Sequence, residues 1–277
     1  PAYAGYEAPQ RFALPVRNSE KWSQVSFTES QSDSIYVTSV RQVAPPPAYS
    51  PRSSWFRVSD SVWSGDRVIS EMMYLPIGQA LYIAPGSSIR LQSGGGLVAD
   101  GALRIEGSTF RGEVGNYGLT ALGGFLGQEV SFRGMDALNS MGWTQMGGVT
   151  CFGSDSTIMQ DCQFLEARSE DALNCFGTAY KLTDIVIRDT WGDGLDVDFG
   201  SGTLEDIEFD EIGNDALDLS GTSIRIDGLR VKGSFDKGIS IGEGSQLMAS
   251  DMEVQNVVVG ISIKDGSSLA TEGNLQD

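Results

Sequence analysis

The sequence predicts an all-β fold, a parallel β-helix built from coils of about 22 residues. The main observation is a five-residue phrase whose copies begin 22 residues apart. A second is the alternation of apolar and polar residues within the phrase, which is typical of strands. A third is the glycine content of 35 residues, which suits an architecture with many tight corners. The copies read DALNC from Asp171, DGLDV from Asp193, DALDL from Asp215, KGISI from Lys237 and VGISI from Val259.

Residues 1–65 differ from the rest of the chain. They contain VAPPPAYSPRSSW, whose prolines disfavour regular strands, and they have no 22-residue echo. A solenoid exposes an apolar cross-section and unpaired strand edges at its ends, so it needs a cap. We therefore predict an N-terminal extended capping segment over residues 1–65 and a β-helix domain over residues 66–277.

From Asp66 onward, short alternating strands are separated by glycine and Pro-Gly corners, as in LYIAPGSSIRLQSGGGLVADGALRIEGS. Residues 113–147 are less regular, and Gly-rich pieces such as TALGGFLG and MGWTQMGG predict longer loops that leave the coils. These loops contain Trp143, and we expect them to form a rim above a groove.

The later coils keep their period in a second strand as well. Leu182, Leu204 and Ile226 form one apolar series at the same 22-residue spacing. Strands stacked in register pair in parallel, and the interval leaves room for two or three strands but not for a helix. The pattern continues to the last residues, which is the expectation for a piece of a longer protein.

The charge and the missing histidine exclude several classes of function. A formal net charge of −18 repels nucleic acid and anionic membranes, so neither is an expected partner. The absence of histidine removes His-dependent triads, His general bases and His-liganded zinc. No apolar stretch is long enough for a membrane span. An acidic polysaccharide would also be repelled, so its binding would need a divalent ion.

Alternation assigns the acidic residues of the phrase to one outer surface. Asn174, Asp196 and Asp218 form an outward row, and Asp198 lies in the next outward row. Row neighbours lie about 4.8 Å apart, where two like charges repel by about 1 kcal/mol in water and by more in a low dielectric. A cation, shared protons or a basic neighbour would offset this repulsion, and an oxygen-rich set favours calcium. The candidate calcium ligands are Asp193, Asp196, Asp215 and Asp218.

The acids at the coil corners also have a structural interpretation. Asp and Asn at corners bond their own backbone in Asx-turns, and Gly194 and Ala216 follow two of these acids directly, as a tight bend requires. The outward row favours a functional interpretation, because acids placed opposite each other destabilise a sheet.

In these residues the chain resembles the pectin-lyase-like superfamily of right-handed parallel β-helices, which contains polysaccharide lyases, glycosidases and epimerases. The resemblance covers residues 80–277 and rests on the coil period and the corner chemistry. Within the superfamily, the repeat looks most like the polygalacturonase-type glycoside hydrolases. That family carries Asn-Thr-Asp, Gly-Asp-Asp, Gly-His-Gly and Arg-Ile-Lys on successive coils, where this chain has WGDGLDV, GNDALDL, FDKGISIG and ISIKDG.

The match to that family is incomplete. One carboxylate of the acid pair, the histidine and the arginine are replaced, which argues against uronic-acid hydrolysis by that machinery. The chain is also similar to uncharacterised extracellular β-helix proteins. In the family pattern Asp193 stands at the first acid, Asn214 and Asp215 at the acid pair, Lys237 at the histidine, Ser262 at the arginine and Lys264 at the final lysine.

These observations support two candidate functions. The first is a polysaccharide hydrolase or lyase. Hydrolysis needs two carboxylates about 5–5.5 Å apart for retention or about 6.5–9.5 Å apart for inversion, whereas a lyase would use Lys237 as the base beside calcium. The second is a non-catalytic surface, adhesion or carbohydrate-binding module with a calcium-stabilised ladder. Both predict a glycan partner, an extracellular or periplasmic location and no organic cofactor. The predicted catalytic residues are Asp193, Asp196, Asp215, Asp218 and Lys237, and the predicted substrate-binding residues are Trp191, Asn174, Asp198 and Lys264.

Overall fold

The computed structural model describes residues 55–136, 147–154 and 156–272, and the backbone of three strands before them. The chain forms two compact units, Pro1–Arg52 and Ser53–Asp277. In the first unit, strands β1 (Arg11–Leu14), β2 (Trp22–Glu29) and β3 (Ile35–Val43) form an antiparallel sheet in the order β1-β2-β3. That this unit caps the β-helix stays a prediction.

The second unit is built from short strands joined by corners, with no helix among its described residues. In chain order its strands are β4 (Phe56–Arg57), β5 (Val62–Trp63), β6 (Asp66–Ile69), β7 (Met72–Leu75), β8 (Ala80–Ile83), β9 (Ser88–Leu91), β10 (Gly96–Ala99), β11 (Ala102–Glu106), β12 (Thr109–Gly112), β13 (Leu119–Ala121), β14 (Phe125–Gln128), β15 (Ser131–Arg133), β16 (Gly147–Phe152), β17 (Thr157–Leu165), β18 (Asp171–Phe176), β19 (Ala179–Arg188), β20 (Asp193–Asp198), β21 (Ser201–Asp210), β22 (Leu217–Ser220), β23 (Ser223–Val231), β24 (Lys237–Gly242), β25 (Gln246–Val254), β26 (Val259–Ile263) and β27 (Ser268–Glu272).

These strands form two long parallel sheets. The first, called sheet I, has ten strands in the order β26-β24-β22-β20-β18-β16-β13-β10-β7-β4. The second, called sheet II, has fourteen strands and follows the order β27-β25-β23-β21-β19-β17-β14-β11-β8-β5, with β6, β9, β12 and β15 as a side row. Each strand therefore pairs with its counterpart in the next coil, and the predicted parallel β-helix is confirmed.

The register of sheet I confirms the 22-residue repeat. Leu195 of β20 pairs with Leu173 of β18 on one side and with Leu217 of β22 on the other. The inward rows are buried along the helix, because each coil covers the apolar face that the previous coil leaves open. A stack of phenylalanines fills the part of the core behind sheet II, with Phe132 5.3 Å from Phe110 and 5.1 Å from Phe164 between ring centroids.

The β-helix begins earlier than the sequence predicts. Strand β4 pairs with β7 and strand β5 pairs with β8, all in parallel, although β4 and β5 precede residue 66. The prolines that disfavour strands end at Pro51, so regular pairing resumes soon after them. The predicted boundary after residue 65 therefore lies too late, and the two units divide between Arg52 and Ser53.

Part of the predicted loop region is also regular. Strands β13, β14 and β15 pair in register with the coils on either side of them, so residues 119–133 remain in the solenoid. Their glycines sit at corners: Gly118 has φ +65° and Gly134 has φ +62°, which other residues adopt less readily. Trp143, predicted to lie on a rim, falls outside the described residues.

No helix within the described ranges is long and apolar enough to cross a membrane.

Candidate functional site

Three neighbouring strands of sheet I bring the acids of the repeat together. The register pairs Asp171 with Asp193, Asn174 with Asp196, and Asp196 with Asp218. Asp198 follows on the same strand and pairs with Phe176. The surface formed by Asp171, Asp193, Asp196, Asp198 and Asp218 is called the acidic patch.

The corner acids link each coil to the next. One carboxylate oxygen of Asp193 accepts hydrogen bonds from the backbone N–H of Asp215, at 2.8 Å, and from the side-chain amide of Asn214, at 2.6 Å. Asp215 repeats the arrangement, since its carboxylate accepts the backbone N–H of Lys237 at 3.1 Å. These hydrogen bonds give both corner acids a structural role, and they orient the carboxylate of Asp193.

The outward row is less exposed than its alternation suggests. Asn174 is 2% exposed, and Ser240 is fully buried, whereas solvent-facing positions were expected. The amide of Asn174 donates to Asp196 at 3.2 Å and to Asp198 at 3.4 Å. Because a strand pattern assigns a face but not what covers that face, burial of this row could not be read from the sequence.

Asp171 is the most deeply buried acid of the patch. Its side chain is 1% exposed, and its Oδ2 atom is buried without a hydrogen-bond partner. Burial raises the pKa of the Asp171 carboxyl well above its ordinary value, and the charge of Asp193 adds to the rise. A buried carboxyl without a partner favours its neutral form, because burial penalises the charge.

The acids of strand β20 differ in their pKa values. Burial raises the pKa of Asp196 to about 10, and the neighbouring Asp171 and Asp198 carboxyls add to the rise. Burial raises the pKa of Asp193 only to about 6, because hydrogen bonds from Asp215 and Asn214 stabilise its charged form. Asp196 is therefore neutral and Asp193 ionised at neutral pH, a division of roles typical of acid–base pairs.

Burial also raises the pKa of Asp198. Hydrogen bonds from Asn174 and from Asp196 act in the opposite direction, because they stabilise the charged form of Asp198. The hydrogen bond from the neutral Asp196 carboxyl to Asp198 avoids the repulsion that two ionised acids would have.

Lys237 borders the patch but is already paired. Its Nζ atom lies 3.1 Å from both carboxylate oxygens of Asp215 and also contacts Asp236. The hydrogen bond to Asp236 is the main cause that raises the pKa of Lys237, desolvation lowers it, and Asp215 raises it further. The Lys237 ammonium therefore stays protonated and compensates its two acidic partners.

The four predicted calcium ligands do not converge. Among the residues whose positions are described, no group of three or more Asp, Glu or Cys side chains is placed to hold a metal ion. Asp193 and Asp215 use carboxylate oxygens on backbone N–H groups and on Asn214 or Lys237 instead. Calcium binding by these residues stays a prediction.

Aromatic side chains flank the patch at both ends of the strand. Trp191 lies two residues before β20 and is 74% exposed. Beyond the other end, Phe176 stacks on Phe152 at 4.8 Å and meets Phe199 edge-on at 5.6 Å. Phe199 is half-exposed. Trp191 was predicted as a site residue, and the aromatic row beside Asp198 was missed.

Lys264 is not brought to the patch. Its aliphatic stem lies over Gly242, where an added Cβ would meet Lys264 Cε at 2.9 Å. Gly242 follows Asp198 and Ser220 in the same row, two coils away. Asp171 is the further residue of the patch that sequence reasoning did not name as a site residue. Its place at the start of the repeat was visible, but its burial was not.

Comparisons with known proteins give a fold-level likeness only. No protein-family model and no curated protein matches the chain. It is similar to a double mutant of the periplasmic alginate epimerase AlgG, with 8% identity and a TM-score of 0.35 over 79% of this chain and 76% of that chain. It is also similar to the catalytic domain of a GH87 alpha-1,3-glucanase in complex with nigerose, with 9% identity and a TM-score of 0.36 over 85% of this chain and 76% of that chain. Likenesses this weak indicate neither activity nor substrate.

Proposed function

We propose that the chain is a polysaccharide hydrolase in which Asp196 is the general acid and Asp193 the general base. The observation that carries the proposal is the separation of their pKa values, to about 10 for Asp196 and about 6 for Asp193, within one partly exposed acidic patch. Titratable neighbours whose environments drive their pKa values apart are the usual basis for assigning an acid and a base. A polysaccharide substrate is consistent with the predicted location outside the cytoplasm.

The reaction uses the two carboxyls in different ways. Asp196 donates its proton to the glycosidic oxygen as the bond to the anomeric carbon breaks. Asp193 takes a proton from the water that attacks that carbon. The glycan is cleaved into two chains, and one proton has moved from Asp196 to Asp193. The residues are three apart on one strand, about 10 Å between their Cα atoms. Inversion would require the two carboxyls to stand about 6.5–9.5 Å apart, with the attacking water between them.

Neighbouring residues set the orientation and the protonation of Asp193 and Asp196. Asn174 donates to Asp196 and so fixes the orientation of the acid. Asn214 and the Asp215 backbone do the same for Asp193. Burial raises the pKa of Asp196, and the neighbouring acids add to the rise, which keeps the acid protonated.

A lyase mechanism is less well supported. A lyase would need Lys237 as a neutral base beside a uronate. The hydrogen bond to Asp236 raises the pKa of Lys237, and the ion pair with Asp215 adds to that rise. An ammonium held in this way is a poor proton acceptor.

The test is hydrolysis of a panel of neutral and acidic polysaccharides, followed by the release of reducing ends. Asp196→Asn and Asp193→Asn should each lower the rate by about 10²-fold or more, since one proton transfer is lost in each. Asp227→Asn changes an exposed carboxyl on sheet II and is the matched control. The rate should be highest between about pH 6 and about pH 10, where Asp193 is ionised and Asp196 protonated. Full activity of Asp196→Asn would contradict the assignment.

The alternative is a non-catalytic glycan-binding or adhesion module, favoured by the corner hydrogen bonds that use Asp193 and Asp215 structurally. It predicts binding without turnover on every polysaccharide of the panel. If the ladder also binds calcium, as the sequence predicts, calcium should raise the melting temperature more than sodium chloride of equal ionic strength does.

A further inference from the structure

Two exposed aromatic rings lie at one corner of the β-helix. Trp191 is 74% exposed and Phe235 is 77% exposed, more than any other tryptophan or phenylalanine in the described ranges. Isolated exposed apolar residues are common on protein surfaces, but large aromatic rings at equivalent positions of a repeat are a specific arrangement.

The two rings are two coils apart in one row. Trp191, Gly213 and Phe235 follow at 22-residue steps. The bridge between Ile212 and Ser234 sets the register of the later two, and the carbonyl oxygen of Trp191 lies 2.2 Å from the place of a Cβ on Gly213. Two coil steps amount to about 9.6 Å. The coil between them has a glycine at this row position, which contributes no side chain there.

This row runs directly beside the acidic patch. Asp193 follows Trp191 by two residues, and Lys237 follows Phe235 by two residues. The Lys237 ammonium is held by Asp215 and Asp236, so it is not free to pair with a ligand anion. A ligand lying on the rings therefore passes acidic side chains and a neutralised lysine, and a negatively charged sugar would be repelled.

We propose that Trp191 and Phe235 form a stacking platform for a neutral, extended β-1,4-linked glycan that lies along the helix axis. This inference deepens the proposed function and rests on it for the reaction, although binding is testable separately. The C–H face of a pyranose is apolar and packs on an aromatic ring. In an extended β-1,4-linked chain every second sugar presents the same face, at a repeat close to the spacing of two coils. The sugar between the two that stack on the rings passes over Gly213, which has no side chain of its own.

The experiment measures binding to the full chain by isothermal titration calorimetry. The probes are cellohexaose, xylohexaose and mannohexaose as neutral extended chains, maltohexaose as a neutral curved chain, and hexagalacturonate as a charged chain. At least one of the neutral extended chains should bind more tightly than maltohexaose and hexagalacturonate. Trp191→Ala and Phe235→Ala should each weaken that binding by about tenfold or more, and Trp191→Phe should restore part of it. Ile77→Ala, at a side chain 76% exposed, is the matched control and should bind as the wild type does.

The outcomes separate the platform from the hydrolase. Glycan binding that depends on the two rings, without turnover, supports the platform and contradicts the hydrolase proposal. Turnover that is unchanged in both ring variants contradicts the platform, whereas the hydrolase proposal stands. Preference for hexagalacturonate, or no binding of any probe, overturns the platform. Melting temperatures of all variants, measured first, show whether a lost signal comes from unfolding.

Discussion

At the scale of single residues, Asp196 couples stability to pH. Its pKa is raised to about 10 by burial and acidic neighbours, so the folded protein binds a proton that the unfolded chain releases above about pH 4. The free energy of unfolding therefore has its full value below about pH 4 and falls as pH rises towards about 10. Asn cannot ionise, so Asp196→Asn should raise the melting temperature at about pH 8 by about 5 °C or more.

The control for this prediction is the same pair of proteins at about pH 4, where both side chains are neutral and the difference should vanish. A variant that melts below the wild type at about pH 8 would contradict the protonated state of Asp196.

Ser240 gives a second residue-scale prediction. Its hydroxyl is buried with no hydrogen-bond partner, one coil above Asp218. Ser245 is buried too, but its hydroxyl donates to Gly242 at 2.6 Å and accepts the N–H of Thr222 at 3.0 Å. Ser240→Ala should leave stability unchanged or raise it slightly, because it removes an unpaired polar atom. Ser245→Ala should lower the free energy of unfolding by about 1–3 kcal/mol, measured by urea denaturation. Equal losses in both variants would contradict this account.

At the scale of strands and coils, the phenylalanine stack tests how the coils hold together. Phe132 is buried between Phe110 and Phe164 on the coils either side of it. Phe132→Ala should lower the free energy of unfolding by about 3–5 kcal/mol, since it leaves a cavity that neighbouring coils cannot close. Phe132→Leu should cost less. Phe199→Ala, which removes a half-exposed ring, is the control and should have a small effect in guanidinium denaturation.

The strands and their register could be predicted because they follow from a period and an alternation that the sequence contains. The rows through Leu195 and Asp196 therefore lie where they were expected. The state of the acids could not be predicted in this way. Whether Asp171 is exposed depends on what covers the row, and a one-dimensional pattern does not contain that information. The early start of the β-helix was missed because β4 and β5 have only two residues each and come soon after a proline-rich stretch, so they show no strand pattern.

At the scale of the whole molecule, the net charge of −18 is the dominant feature. Self-repulsion of this size destabilises the compact state, and added salt screens it. Raising sodium chloride from about 20 mM to about 300 mM should therefore raise the melting temperature by a few degrees at neutral pH. The Asp196 carboxyl is neutral at this pH and adds no charge, so Asp196→Asn should show the same salt response. A melting temperature that falls with salt would contradict the argument.

The acidic patch links the residue-scale predictions to the charge of the whole molecule. The chain places several carboxyls on one surface, where burial raises the pKa of Asp196 to about 10. The protonation state of Asp196 is the claim on which the hydrolase proposal and the pH dependence of stability both depend.

The most direct measurement is a titration of the Asp196 carboxyl carbon by ¹³C NMR, with Asp196→Asn identifying its signal by difference. The account predicts a protonated carboxyl at neutral pH, which ionises only as pH approaches about 10. A carboxylate already ionised at neutral pH, with a midpoint below about 5, would contradict it.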